Sequence, residues 1–456
     1  MKTPLPANYG GPLRRTLPPA LALAAALLLA PADAHAFASR TWIGQDGGSW
    51  MEVKNWKDDN QPGTPPTEPP GVTSSPMTTF IDNGTTAVLD HEESIAVGLL
   101  GIGTDPAVTS VGRTSGLILN SDLATLGTLV GITSYEGEKV FGLGGGPGYL
   151  EVNDGGRLGI GIGIATGVGA DGTVALNNGT IQAYQLDLAS SNPDDPPYNG
   201  MTPGVVVFGN ETLRLMKQAG LIPPPKEGPE IPDDILGNSG SSQLWVSGAS
   251  AIEASSVHFS GNSVTFIGFD PRLQTAGGSA TSPVVANTTL TISHTTVYGE
   301  ESGTVSFYDG AAVIFTEGAK LVLDEGMTLD LSHLSAASAT LDEKTGLPAT
   351  GLTLALLDYA IGSYELIHAT DLLFGNGYST DNLNDLFTIL FATSGVETSE
   401  SGNHWTTWED LTKTGRLYYR DNALWLEVSA VPEPATYAVL AGLALLAWAA
   451  LRRRRG

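Results

Sequence analysis

Short apolar-x-apolar triplets recur along the chain, and a turn signal follows most of them. Leu150-Glu151-Val152 leads into Asn153-Asp154-Gly155-Gly156, and Val174-Ala175-Leu176 into Asn177-Asn178-Gly179. Leu244-Trp245-Val246 runs into Ser247-Gly248, Val305-Ser306-Phe307 into Tyr308-Asp309-Gly310, and Leu321-Val322-Leu323 into Asp324-Glu325-Gly326. Leu290-Thr291-Ile292 belongs to the series with a weaker turn, Ser293-His294. Alternation of period two marks a strand, and Asn-Gly or Asp-Gly supplies the positive φ of a sharp corner. The pattern predicts an all-β body of short strands. A step of 24 residues from Leu150 to Val174, and of 46, twice 23, from Leu244 to Leu290, fits rungs of a β-solenoid. Steps of 15 and 16 along Leu290, Val305 and Leu321 fit hairpins or single faces equally, so a β-sandwich is the alternative.

Two stretches break the pattern. Residues 57–75 are rich in Pro, Gly and Thr and read as a loop. Residues 190–240 form a Pro-rich insertion with paired acids, Asp194-Asp195 and Asp233-Asp234, and a helix candidate at 211–219 stopped by Gly220. Beyond a polar linker at 335–350, strands predicted at 352–357, 364–367, 386–391, 417–419 and 424–428 read as a C-terminal β cap over 331–430, closing a solenoid body of 37–330. At the other end stand Trp42-Ile43-Gly44, Gly48-Ser49-Trp50 and Asn55-Trp56, an aromatic cap for the first rung or a sugar-stacking platform. This opening, with the run 148–156, resembles the autotransporter-associated β-helical repeat proteins. No amphipathic terminal strands follow, as a self-translocating barrel would need.

The two termini read as addresses. Arg14 and Arg15, the apolar stretch 17–30, and the small-x-small site at Ala34 and Ala36 read as a secretory signal peptide over 1–36. Over 431–456, Val431, Pro432, Glu433 and Pro434 precede an uncharged, mostly apolar run, 435–451, and then Arg452, Arg453, Arg454 and Arg455. A helix over that run reaches roughly 26 Å, a transmembrane span if the bilayer thins a little, and the arginines hold its far end on the cytoplasmic side. The order of motif, helix and basic end resembles a PEP-CTERM sorting signal. The resemblance implies recognition by an exosortase after transit through the secretion machinery. It also implies removal of the tail near the Pro-Glu-Pro motif, and release to the cell surface or exopolysaccharide layer of a Gram-negative-type bacterium.

Composition limits what such a body does. Of 48 acidic and 22 basic residues in the chain, removing Lys2, Arg14, Arg15, the four terminal arginines, Asp33 and Glu433 leaves 46 and 15 over 37–431, a net charge of −31. Nucleic acid is excluded as a partner, and divalent cations are favoured. With no cysteine, stability rests on the core and the backbone ladders.

His91, His258, His294, His333, His368 and His404 show no metal-ligand spacing, and no carboxylate pair stands out as catalytic. The Gly144–Gly148 stretch lacks the aspartate a calcium nonapeptide needs, since Leu150 takes its place. No cofactor is expected, calcium on Asp58-Asp59 and the other acid pairs being the one exception. Trp405 and Trp408, beside His404 and Glu409, are the candidate glycan-stacking pair. The expected role is therefore structural or adhesive rather than enzymatic, in contact with exopolysaccharide. A polysaccharide lyase, glycosidase or glycan-binding module is the alternative.

Overall fold

The computed structural model describes residues 39–61, 63–72, 77–103, 114–132, 147–168, 171–183, 205–208, 242–259, 261, 263–270, 284–295, 302–341, 347–375, 377–392 and 412–431. Among them the chain is all-β, with two short 3-10 turns and no α-helix. Ten strands form one parallel sheet: Gly48–Ser49, Thr86–Leu89, Ser115–Leu119, Gly148–Val152, Gly172–Asn177, Ser242–Ser247, Ser263–Ile267, Ala312–Thr316, Leu352–Leu357 and Phe387–Ala392. Nineteen others form a second sheet. It contains two parallel ladders joined where Asp122–Ile132 and Arg157–Val168 run through both, the latter with an irregularity between Ile160 and Gly163.

The chain visits the ladders in turn. From Ser263–Ile267 it passes to Thr289–Ser293, then to Gly303–Phe307, and Ala312–Thr316 returns it to a place beside Ser263–Ile267. Successive coils thus pair edge to edge in register, an arrangement compatible with a β-solenoid. The antiparallel pairing on which a sandwich is built occurs, among the described strands, only at the two ends of the stack.

The triplets fall into this frame with one rearrangement. Leu150 lies opposite Val174, so the step of 24 is a rung. Leu290 lies opposite Leu321, while Val305 belongs to the neighbouring ladder, opposite Leu329. The steps of 15 and 16 are therefore two faces of a single rung. Leu244 sits in the ten-stranded sheet and Leu290 outside it, so their separation of 46 counts no rungs.

The corners have the expected chemistry. Asn178 takes φ 55°, and its side-chain oxygen accepts the backbone N–H of Ala249. A Cβ on Gly179 would lie 2.2 Å from the carbonyl oxygen of Val152 in the rung beside it. Along the same corner Asn153 donates to Asn120, Asn177 to Asn153, and Ser247 to Asn177, at 2.7–3.1 Å, a polar ladder parallel to the stack.

Inward-facing Leu, Val, Ile and Phe of all three ladders make one core. The outer face of the ten-stranded sheet carries a second. One outward row reads Glu151, Ala175, Trp245, Phe266, Ile314, Ala355 and Leu390. Glu151 receives the Tyr149 hydroxyl at 2.6 Å, while Trp245 stacks on Phe266 at 4.3 Å with Phe269 edge-on to both. Phe269, which bridges Val284, and Leu347 pack over this apolar stretch.

Two expected boundaries move. Val205–Phe208, inside the predicted 190–240 insertion, is a rung strand pairing with Arg157–Val168 and Ser256–Phe259. An apolar four-residue strand completes a ladder that would otherwise expose both neighbours, so it belongs to the coil whatever flanks it. The helix expected at 211–219 lies outside the described residues. The parallel ladders also continue past 331, through Leu352–Leu357, Asp371–Phe374 and Phe387–Ala392. Closure is thus confined to the hairpin of Lys413–Arg420 and Ala423–Ala430, which pairs antiparallel with Gly362–His368.

Candidate functional site

The candidate site is the point where the sorting segment leaves the body. Ala423–Ala430 is the middle strand between Gly362–His368 and Lys413–Arg420. Asp421 and Asn422 turn the hairpin with φ 54° and 60°, a two-residue turn of the kind that matches strand twist. Leu417, Leu424, Leu426 and Val428 face the core. On the other face Arg420 lies 4.9 Å from the Trp425 ring centre and 5.6 Å from that of Tyr418, and the Trp425 indole donates to the Arg420 carbonyl. Among the described strands Lys413–Arg420 pairs with Ala423–Ala430 alone, and on its other edge Asn384 meets Leu417. Its amide donates to the Leu417 carbonyl and accepts from the Leu417 N–H, both at 2.8 Å. Tyr419 ties the hairpin back by donating to the carbonyls of Ala369 and Thr370, and burial, then Asp371, raises its phenol pKa.

The last strand holds its pairing to the end. Gly362 pairs with Val428, and beyond it, among the described residues, only Thr414 and Lys413 face Ser429 and Ala430. The Val431 N–H donates to the Thr412 carbonyl at 2.7 Å, and Val431 is 41% exposed. Pro432, which has no N–H to continue the ladder, comes next. The remaining predicted site residues, Pro432, Glu433, Pro434, Arg452, Arg453, Arg454, Arg455, Ala34, Ala36, Trp405 and Trp408, lie outside the described residues. No helix among the described residues is long and apolar enough to cross a membrane, and the apolar run 435–451 is not among them.

At the opposite end, Trp42, Trp50 and Trp56 are at most 2% exposed, so they plug the coil and offer no platform to a sugar. Trp56 meets the other two rings edge-on at 5.0 and 4.7 Å. Each indole N–H is paired, with Thr85, the Pro70 carbonyl and the Trp50 carbonyl respectively. Gly44 follows from this packing, because a Cβ there would sit 2.4 Å from the Trp42 ring. Asn55, buried, donates to the Ser49 carbonyl and Glu52. The Trp-x-Gly, Trp and Asn-Trp opening is thus accounted for by closure.

The acid pair Asp58-Asp59 is engaged. Asp58 lies 3.7 Å from Arg40, and Asp59 accepts from Ser39 and Thr41 at 2.6 and 2.7 Å. Asp194-Asp195 and Asp233-Asp234 are outside the described residues. Among the described residues no group of three His, Asp or Glu is placed to hold a metal ion.

One cluster had no sequence signal. His258, Ser306 and Asp330 stand side by side on three consecutive rungs. Buried Asp330 lies 3.3 Å from His333 Nε2 and accepts from the Ser306 hydroxyl at 3.3 Å; the His333 ring stacks on Tyr308 at 4.4 Å. Residues so far apart in sequence meet only because of the rung length, which the triplets alone did not fix. Asn384 and the Arg420 stack also went unseen, for they depend on how the hairpin folds back.

Residues 430–455 match the model of the PEP-CTERM protein-sorting motif. No curated protein and no solved structure matches the chain. The motif indicates exosortase-dependent sorting to the cell surface or extracellular space.

Proposed function

We propose that the mature protein is a structural or adhesive component of the cell surface or extracellular matrix, associated with exopolysaccharide, and that its coiled body is a β-solenoid akin to the autotransporter-associated repeats. The sorting motif over 430–455 carries this reading. Stacked parallel rungs support it, since they make a long rigid surface from short repeats. The charge of −31 supports calcium bridging between protein carboxylates and an acidic polysaccharide, of the weak, millimolar kind found in extracellular proteins. Neither a cofactor nor an enzymatic activity belongs to this proposal.

The test is binding of the purified body, residues 37–431, to acidic polysaccharides in chelator and in about millimolar calcium. Tight binding only with calcium, and no new reducing ends or unsaturated sugars, is the expected result. A second reading, a carbohydrate-active enzyme, is favoured by the Asp330–His333 pair, a carboxylate orienting an imidazole. Calcium-independent turnover lost in His333→Ala would establish it and overturn the first.

A further inference from the structure

The sorting segment begins with no spacer after a strand that is still hydrogen-bonded. Val431 is tied to Thr412, and Ala435, where the apolar run starts, is four residues on. Four extended residues span at most about 14 Å. A headgroup layer of about 5–7 Å takes part of that, so a membrane-inserted tail holds the hairpin end at the bilayer surface. An enzyme that takes the chain extended on both sides of Pro432, Glu433 and Pro434 has no free residues on the body side.

Residues 429–431 differ from the strand before them. Leu424, Leu426 and Val428 are buried and flanked by strands on both sides, whereas Ser429, Ala430 and Val431 are exposed and, among the described residues, paired with residues 412–414 alone. Opening them uncovers no apolar core and stops at Val428, where pairing with Gly362 begins. A short, solvent-exposed, one-sided end of this kind opens locally while the rest stays folded.

We infer that the sorting enzyme takes up the tail by peeling residues 429–431 from residues 412–414, so that this strand end is the body's docking surface for the enzyme. The inference rests on the sorting reading.

Lys413 and Ala430 are direct partners, and the chain has no cysteine to compete, so a Lys413→Cys, Ala430→Cys pair locks the end with one disulfide. The assay follows tail removal over time in the host for the full chain, the locked variant, its Lys413→Ser, Ala430→Ser counterpart, and a locked variant with four Gly/Ser residues between Val431 and Pro432.

Locking is expected to slow removal at least about tenfold relative to the Lys413→Ser, Ala430→Ser counterpart, which alters the same two positions without a disulfide. Reductant and the inserted linker should each restore the rate. Removal from the locked variant at the full rate overturns the inference, as does slowing that neither reductant nor linker reverses. Failure of the unaltered chain to lose its tail counts instead against the sorting reading beneath it.

Discussion

The two ends of the coil are closed by different physics. At the start, three buried indoles fill the first rung with side-chain volume, and backbone pairing adds only the three-residue antiparallel strand Trp56–Asp58. At the finish the closure is mainly backbone: a hairpin laid antiparallel against Gly362–His368, with Asn384 bonded to the backbone of Leu417 on its far side. A plug of aromatic rings cannot open in part. A strand can be released residue by residue, which suits the end from which the tail leaves.

The contrast sets the size of each mutational effect. Trp50→Ala removes a fully buried ring against which Trp56 packs edge-on, and should cost about 3–5 kcal/mol in denaturant unfolding of the mature body. A loss under about 1 kcal/mol would mean that the plug is not what closes the first rung.

Asn384→Ala should cost about 1–3 kcal/mol, because it leaves the Leu417 N–H and carbonyl without the partner they have in Asn384. Light scattering should show concentration-dependent association of that variant, since the Leu417 N–H and carbonyl that Asn384 satisfied become available to another chain. No such association is expected of Trp50→Ala while it remains folded.

Alkaline pH separates the ends chemically. The Tyr359 phenol is buried near the C-terminal end, donates to the Thr316 carbonyl, and has its pKa raised, first by burial and then by Glu317 and Tyr364. A raised folded-state pKa means stability that is fully present below the unfolded value of 10.0 and is lost as pH rises beyond it. Tyrosinate absorbance and amide exchange above that pH should therefore report opening of the rungs around Tyr359 before the tryptophan plug. Tyr359→Phe should flatten the pH dependence at a cost of about 1 kcal/mol near neutrality. Simultaneous loss of both ends would show that the body unfolds as one unit.

The smallest effect belongs to neither end. Thr265 sits in an inward row between Leu244 and Val313, buried, with no partner for its hydroxyl among the described residues. Thr265→Val should be neutral or stabilising by up to about 1 kcal/mol, measured by thermal unfolding.

How much of this was legible follows from range. Triplets and their Asn-Gly or Asp-Gly corners are local, so Leu150–Val152, Val174–Leu176 and the turn at Asn178 were readable directly. Assignment of a triplet to a face depends on how many residues lie between corners, which is why the steps through Val305 fitted hairpins and single faces equally. The second core was hidden for a related reason: at Ser263–Ile267 and Ala312–Thr316 both faces of the strand are buried, and alternation carries little signal there. Val205–Phe208 was masked by surrounding prolines. The tryptophan opening was readable because its three rings lie within 15 residues, Trp42 to Trp56. At the exit, the motif from Val431 onward was plain in the sequence, but that pairing runs up to it was not.

Sorting is the central claim, and intact-mass analysis of the mature protein from its native host tests it most directly. The expected mass lacks the chain beyond about Pro434, with the body complete to Val431. A mature protein that still carries Arg452, Arg453, Arg454 and Arg455 would contradict the account and leave the tail as a plain anchor.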